Sequence, residues 1–125
     1  MADVVVIGAG LAGTECAWQL AERGVSVRLI EQKPSSRTPA QHSDQMAELV
    51  CSNSFRGAAI QNAVGLLKEE MRRCGSLVME AGERHRGTAG GAFAVDRDQF
   101  SAEITRRIAA NSLIEVVNEV VDRIP

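Results

Sequence analysis

Apolar and polar positions fall into a few distinct local patterns along this chain. Asp3-Val-Val-Val-Ile7 is a short β-branched run, the pattern of a buried parallel strand. Gly8-Ala-Gly10-Leu-Ala-Gly13 follows at once. Thr14–Arg23 then reads as a helix, with Ala17, Leu20 and Ala21 among its apolar positions. Gly24 supplies its stop, where a left-handed residue is often needed. Val25–Ile30 predicts a second strand, ended by Glu31. Together these segments make a β-α-β unit.

The next stretch is less regular. Lys33–Pro39 has loop chemistry, and Gln45–Val50 suits a short helical turn. A connection this long in a compact domain is usually functional or disordered. Val64, Leu67, Met71, Cys74 and Val78 then repeat at spacings of three and four, which predicts one helix with a single apolar stripe. Lys68, Glu69, Glu70, Arg72 and Arg73 would cover its other side. Gly82–Gly91 reads as a loop and Ala92–Val95 as a short strand. Asp96-x-x-Gln99 resembles a capping box, and Phe100, Ile104 and Ile108 give the following helix its buried face. Leu113–Val117 is a third strand, with Asn118–Ile124 continuing extended. The expected fold class is α/β, with a parallel sheet of the Rossmann type.

Composition narrows the function. The chain has 125 residues, 14 basic and 16 acidic side chains and a formal charge of −2. The charge is evenly spread, with no polybasic patch to hold nucleic acid strongly. Three phenylalanines, one tryptophan and no tyrosine are too few for base-stacking platforms. No apolar run approaches the ~20 residues that span a bilayer, and Asp3 with Gly8 and Gly10 breaks any secretory pattern at the N-terminus. Three irregularly spaced cysteines form neither a disulfide framework nor a zinc pattern. A reducing, cytoplasmic setting is expected.

The glycine segment carries the clearest chemistry. Gly8-x-Gly10-x-x-Gly13 follows a strand, opens a helix and precedes an acidic residue, Glu31, at the end of the second strand. In such a motif the first glycine makes the tight turn, the second lets a pyrophosphate approach the backbone, and the third lets helix and strand pack closely. Helix N–H groups around Gly8, Ala9, Gly10, Leu11, Ala12 and Gly13 would face the phosphates. Glu31 would accept hydrogen bonds from a ribose diol. The alternative is a glycine-rich turn without a ligand. The motif itself does not choose between FAD and NAD.

Other residues each carry two readings. Cys51, in Cys51-Ser-Asn-Ser54, is a nucleophile that adds to a pyrimidine or traps a methylene group, or an inert half-buried thiol. Arg56 is a candidate cation to activate it. Cys16 and Cys74 suit helix faces as small core hydrophobes. Arg97 stands in the first turn of a helix, where the dipole disfavours a cation, so it is either functional or simply solvated. His42 faces substrate or solvent, and His85 lies on a charged, solvated face. Val121 reads as plain β core.

The segments Ala47-Glu-Leu-Val-Cys51-Ser-Asn-Ser54, Asn62-Ala-Val-Gly65, Leu67-Lys-Glu-Glu-Met71-Arg72, Ala89-Gly-Gly-Ala92 and Ala94-Val-Asp-Arg97 resemble the N-terminal part of the folate- and FAD-dependent tRNA (uracil-5-)-methyltransferases. Gln41, Phe55 and Thr88 depart from that pattern. The resemblance implies an FAD-binding Rossmann domain of which residues 1–125 are the N-terminal part. It implies C5-methylation of a T-loop uridine in tRNA, with methylenetetrahydrofolate as carbon donor and NAD(P)H as reductant. Cys51 would be catalytic, Arg97 would meet the FAD phosphates, and the backbone at Val121 would meet the adenine. The family's second cysteine, most of its RNA surface and the rest of its flavin site would lie beyond residue 125. A nucleotide-binding remnant without catalysis, or a flavin oxidoreductase unrelated to RNA, are the competing readings.

Overall fold

β1 (Val4–Ile7), α1 (Leu11–Glu22) and β2 (Val27–Glu31) realise the expected β-α-β unit in the computed structural model, which describes all 125 residues. α1 starts three residues earlier than the apolar pattern suggests, because extended Gly10 serves as its N-cap. Its end follows the glycine rule. Gly24 has φ 79° and donates to the Ala21 carbonyl at 2.9 Å. β2 pairs in parallel with β1, Val4 opposite Val27 and Ile7 opposite Ile30. Its other edge pairs in parallel with β5 (Ile114–Asn118), Val27 opposite Ile114 and Glu31 opposite Asn118. The order β1-β2-β5 brings Ile7, Glu31 and Asn118 to one end of the sheet, where open α/β sheets bind ligands.

One face of this sheet is covered. Val27 and Leu29 of β2 and Ile114 of β5 pack with Ala17 and Ala21 of α1 and with Phe100, Ile104 and Ile108 of α4 (Arg97–Ala110). The opposite face is open. Val5 is 46% and Ile7 51% exposed, and Arg28 pairs with Glu115 there in solvent. The buried strand that the sequence suggests for β1 is therefore corrected to a half-buried one. β1 has a partner on one edge only and helices on one face only, so its alternate side chains meet water.

The middle of the chain departs most from expectation. The single stripe over 64–78 is two helices, α2 (Ala63–Arg73) and α3 (Leu77–Arg84). Gly75, at φ 74°, ends the first, and Ser76 caps the second, its Oγ accepting the Met79 N–H at 3.1 Å. The Glu15 carboxylate of α1 adds a second cap by accepting Ser76 Oγ–H and the N–H groups of Leu77 and Val78. The break rotates the buried faces. Leu67 is 55% exposed, while Gly65 and Lys68 are buried. Burial pushes the Lys68 ammonium below its ordinary pKa, and the Arg56 charge adds to that. α3 also takes in Gly82, read as loop. A β-carbon there would come within 2.9 Å of the Phe93 ring.

β3 (Ser54–Gly57), not foreseen, pairs antiparallel with β4 (Ala92–Ala94). It brings Phe55 edge-on to Phe93 and Phe100 at 6.0 and 5.5 Å. Gln45–Val50 makes no helical turn, and β5 stops at Asn118. The Asp96 cap holds, with Oδ1 accepting the Gln99 N–H at 2.9 Å. The reciprocal half of the box is absent, because the Asp96 N–H donates to the His85 carbonyl instead.

Candidate dinucleotide site and the Cys51 segment

The glycine turn has the geometry its spacing implies. Gly8 follows β1 at φ 95°, a conformation that L side chains rarely adopt, and its N–H donates to the Ile30 carbonyl at 2.7 Å. Gly13 packs on it so closely that a β-carbon would stand 1.7 Å from the Gly8 carbonyl oxygen. Gly10 is the reverse case. A β-carbon there would meet nothing within 4 Å, so its backbone lies open to an approaching group. Thr14 is the first residue of α1 whose N–H closes onto a helical carbonyl, that of Gly10, at 3.0 Å. The amides before it lack an intrahelical acceptor and sit at the positive end of the helix dipole.

A cleft of about 200 Å³ adjoins this turn. Gly8, Ala9, Gly10, Glu31, Gln41, Glu119 and Val121 are among its lining residues. Its acidic edge suits hydroxyl donors, and the helix end suits an anion. Glu31 is 6% exposed. Its Oε2 accepts the Ala9 N–H at 2.7 Å and its Oε1 the Lys33 N–H at 2.9 Å. The carboxylate is thus fixed in place while each oxygen keeps a further lone pair. Val121 reaches the cleft as irregular chain, not as a strand residue. The Glu119 N–H donates to the Glu31 carbonyl at 2.9 Å and thereby steers the chain past the end of β2.

Arg97 lies elsewhere. It is exposed at the start of α4 and lines a separate cleft with His42, Ser43, Glu48, Val50 and Ser101. That cleft borders the loop leading to Cys51. The loop's middle is tied to the glycine turn and to α4, the Met46 N–H donating to Thr105 Oγ1 at 2.8 Å. The Ala47 N–H donates to the Ala9 carbonyl at 2.8 Å, and Ser101 Oγ donates to the Ala47 carbonyl at 3.1 Å. Lys33 and Glu48, with side chains 3% and 10% exposed, form an ion pair of 3.3 Å under the loop. Burial alone would raise the Glu48 pKa. The N–H groups of His42 and Ser43 and the Lys33 ammonium outweigh it, and the net displacement is downward.

Cys51 is exposed, as are Cys16 and Cys74. The last two were expected in the core. They line a groove between α1 and α2 instead, with Glu15, Gln19 and Met71. His85 is also corrected. Its ring is 20% exposed, and Nε2 lies 3.3 Å from Glu103. Lys33, Ala47 and Glu48 were missed by sequence reasoning. The position of Lys33 two residues after Glu31 was a signal, but its partners are ten to fifteen residues away.

Known proteins resemble this chain in sequence and in fold. A chain from Pelobacter propionicus named methylenetetrahydrofolate--tRNA-(uracil-5-)-methyltransferase TrmFO is 60% identical over 123 residues. Those residues are 98% of this chain and 27% of that one. TrmFO proteins of Ligilactobacillus salivarius and Staphylococcus aureus are 53% and 57% identical, over 99% and 98% of this chain. This chain spans about 28% of their length. Among solved structures, Aquifex aeolicus GidA superposes with a TM-score of 0.72 at 18% identity, over 94% of this chain and 19% of that one. A flavoprotein/dehydrogenase from Cytophaga hutchinsonii superposes with a TM-score of 0.50 at 17% identity, over 92% and 30%. At such identities these two speak for the fold alone. Residues 3–125 match the family described as glucose inhibited division protein A, and the chain belongs to that family.

Proposed function

We propose that the whole protein is a flavoenzyme that methylates C5 of a T-loop uridine in tRNA, with methylenetetrahydrofolate as carbon donor, FAD as cofactor and NAD(P)H as reductant, in the cytoplasm. The observation that carries this reading is the 60% identity to an enzyme of that name across 98% of the chain. The residues present fit the ADP end of FAD. The open backbone at Gly10 and the uncapped start of α1 receive the pyrophosphate. Glu31, held by two amides, accepts from the adenosine ribose, and a 2′-phosphate would be repelled there. Val121 borders the same cleft and would lie beside the adenine. Arg97 lines the separate cleft with His42 and would meet the FAD phosphates from there. FAD, when bound, supplies the reducing equivalents. Cys51 supplies the thiol nucleophile.

Two measurements test this. The purified chain, mixed with FAD and desalted, should retain the flavin absorption bands. A chimera should also be made in which this chain replaces the matched segment of the Pelobacter propionicus protein. It should form 5-methyluridine in tRNA from labelled methylenetetrahydrofolate, and Cys51→Ala should abolish that product without releasing flavin. A chimera that binds flavin but transfers no folate carbon would favour an oxidoreductase unrelated to RNA and overturn the methyltransferase reading.

A further inference from the structure

The glycine turn, the end of β2 and the loop before Cys51 are joined in a closed circuit of contacts. The Ala9 N–H donates to Glu31, and Glu31 accepts the Lys33 N–H. The Lys33 side chain then crosses to the loop. Its ammonium donates to the Ser43 carbonyl at 3.1 Å and to the Gln45 carbonyl, and lies 3.3 Å from Glu48 Oε2. Glu48 Oε1 gathers the N–H groups of His42 and Ser43 at 2.7 and 3.0 Å. Ala47 closes the circuit by donating to the Ala9 carbonyl at 2.8 Å.

The chemistry of Lys33 says what the circuit is for. Residues 32–53 contain no strand or α-helix, so no ladder fixes this backbone. Burying an ammonium is costly unless its charge and its donors are all matched. A methionine would fill similar volume without that cost, so packing alone does not call for lysine here. A lysine supplies three donors from one point. They tie three places in the loop to a point two residues after the β2 carboxylate. Cys51 itself is exposed; α4 holds the loop before it at Met46 and Ala47 through Thr105 and Ser101, and two further anchors flank the cysteine. One is the Lys33 circuit. The other is Asn53, whose Nδ2 donates to the Val95 carbonyl at 3.1 Å and whose carbonyl accepts the Val95 N–H at 2.8 Å.

We propose that Lys33 is a positioning residue, which sets the place of Cys51 relative to the nucleotide-binding turn by acting through Glu48, Gln45 and Ala47. The inference rests on the reading of Cys51 as nucleophile and of the glycine turn as nucleotide site. Its test is amide hydrogen exchange of the chain, read by peptide mass spectrometry. In Lys33→Met, amides of residues 42–51 should exchange at least about tenfold faster, while those of α1 and α4 keep their wild-type rates. Lys33→Arg should restore protection. If Lys33→Met does not fold, Glu48→Gln, which removes only the charge partner, is read in the same way. In the chimera, Lys33→Met should lower kcat with the KM for tRNA unchanged. Unchanged exchange of residues 42–51, or a wild-type kcat in Lys33→Met, would overturn the proposal. A wild-type chimera without methylation would count against the enzyme reading alone, since the exchange result still decides what Lys33 does to the loop.

Discussion

Substitutions at Gly13 and Gly10 separate the folding role of the glycine turn from its binding role. A methyl group at Gly13 would stand 1.7 Å from the Gly8 carbonyl oxygen and 2.9 Å from its carbon. A comfortable carbon–oxygen contact is about 3.3 Å, so the turn would have to open by roughly 1.6 Å. Neither partner yields easily. Both are backbone, and Gly8 is held at φ 95° by its 2.7 Å bond to Ile30. Overpacking of this kind costs about 1–3 kcal/mol, and the helix preference of alanine offsets roughly 0.5–1 kcal/mol of it. With backbone on both sides of the clash the cost lies at the upper end of that range, so Gly13→Ala should destabilise the chain by about 2 kcal/mol, a fall in Tm of roughly 8 °C for this length. Gly10→Ala meets no atom within 4 Å and sits at φ −76°, so it should cost at most about 1 kcal/mol, through a poorer N-cap. Its methyl group would occupy the open space beside the Gly10 backbone, and on the proposed reading of this turn FAD affinity should fall by about tenfold or more. Thermal unfolding and a flavin titration read the two variants side by side. Wild-type FAD affinity in Gly10→Ala would show that no phosphate approaches this turn. A wild-type Tm in Gly13→Ala would refute the packing argument.

Three further outcomes are expected. Ser76→Ala removes the acceptor for the Met79 N–H and the hydroxyl held by Glu15, and urea unfolding should show a loss of about 1–2 kcal/mol. Phe93→Ala empties a fully buried ring site between Phe55 and Gly82, with Arg86 4.6 Å above the ring centroid; the cost should be about 3–5 kcal/mol by the same measurement. Glu48 and Glu103 both titrate below the ordinary glutamate value of 4.5. For Glu103, burial works against the shift, and Arg84 and His85 outweigh it. Lowered folded-state values mean that this stabilisation is fully present above pH 4.5 and is lost as pH falls through them. Tm should therefore drop on acidification below about pH 4.5. Replacing both residues with glutamine should flatten that drop, and an unchanged acid limb would refute the assignment.

The candidate site was legible to different depths. The geometry of the glycine turn and the place of Glu31 at the end of β2 could be read directly, because they follow from local spacing after a strand. The capping Asp96 was legible for the same reason. The break between α2 and α3 was not. The apolar spacing runs on through Gly75, and the cap that fixes the break comes partly from Glu15, 61 to 63 residues away. That false continuity puts Cys74 on a core-facing stripe, whereas the break leaves it exposed. β3 was invisible because Ser54–Gly57 has no alternation of its own and exists by pairing with β4.

What the chain determines by itself is the set of elements whose residues answer to their neighbours in sequence. A β-branched run makes β1, a left-handed glycine ends α1, and an acidic residue closes β2 at a fixed distance from the turn. These are short-range steric and hydrogen-bonding preferences, legible without knowledge of the tertiary contacts. Tertiary structure alone decided which groups share a cleft. It brought Val121 beside Gly10 and Glu31, and set Arg97 apart with His42. It also buried Lys33 against Glu48 and the carbonyls of Ser43 and Gln45. No periodicity encodes such a tie. It becomes favourable only when the loop folds back over the end of β2 and removes an ammonium and a carboxylate from water together.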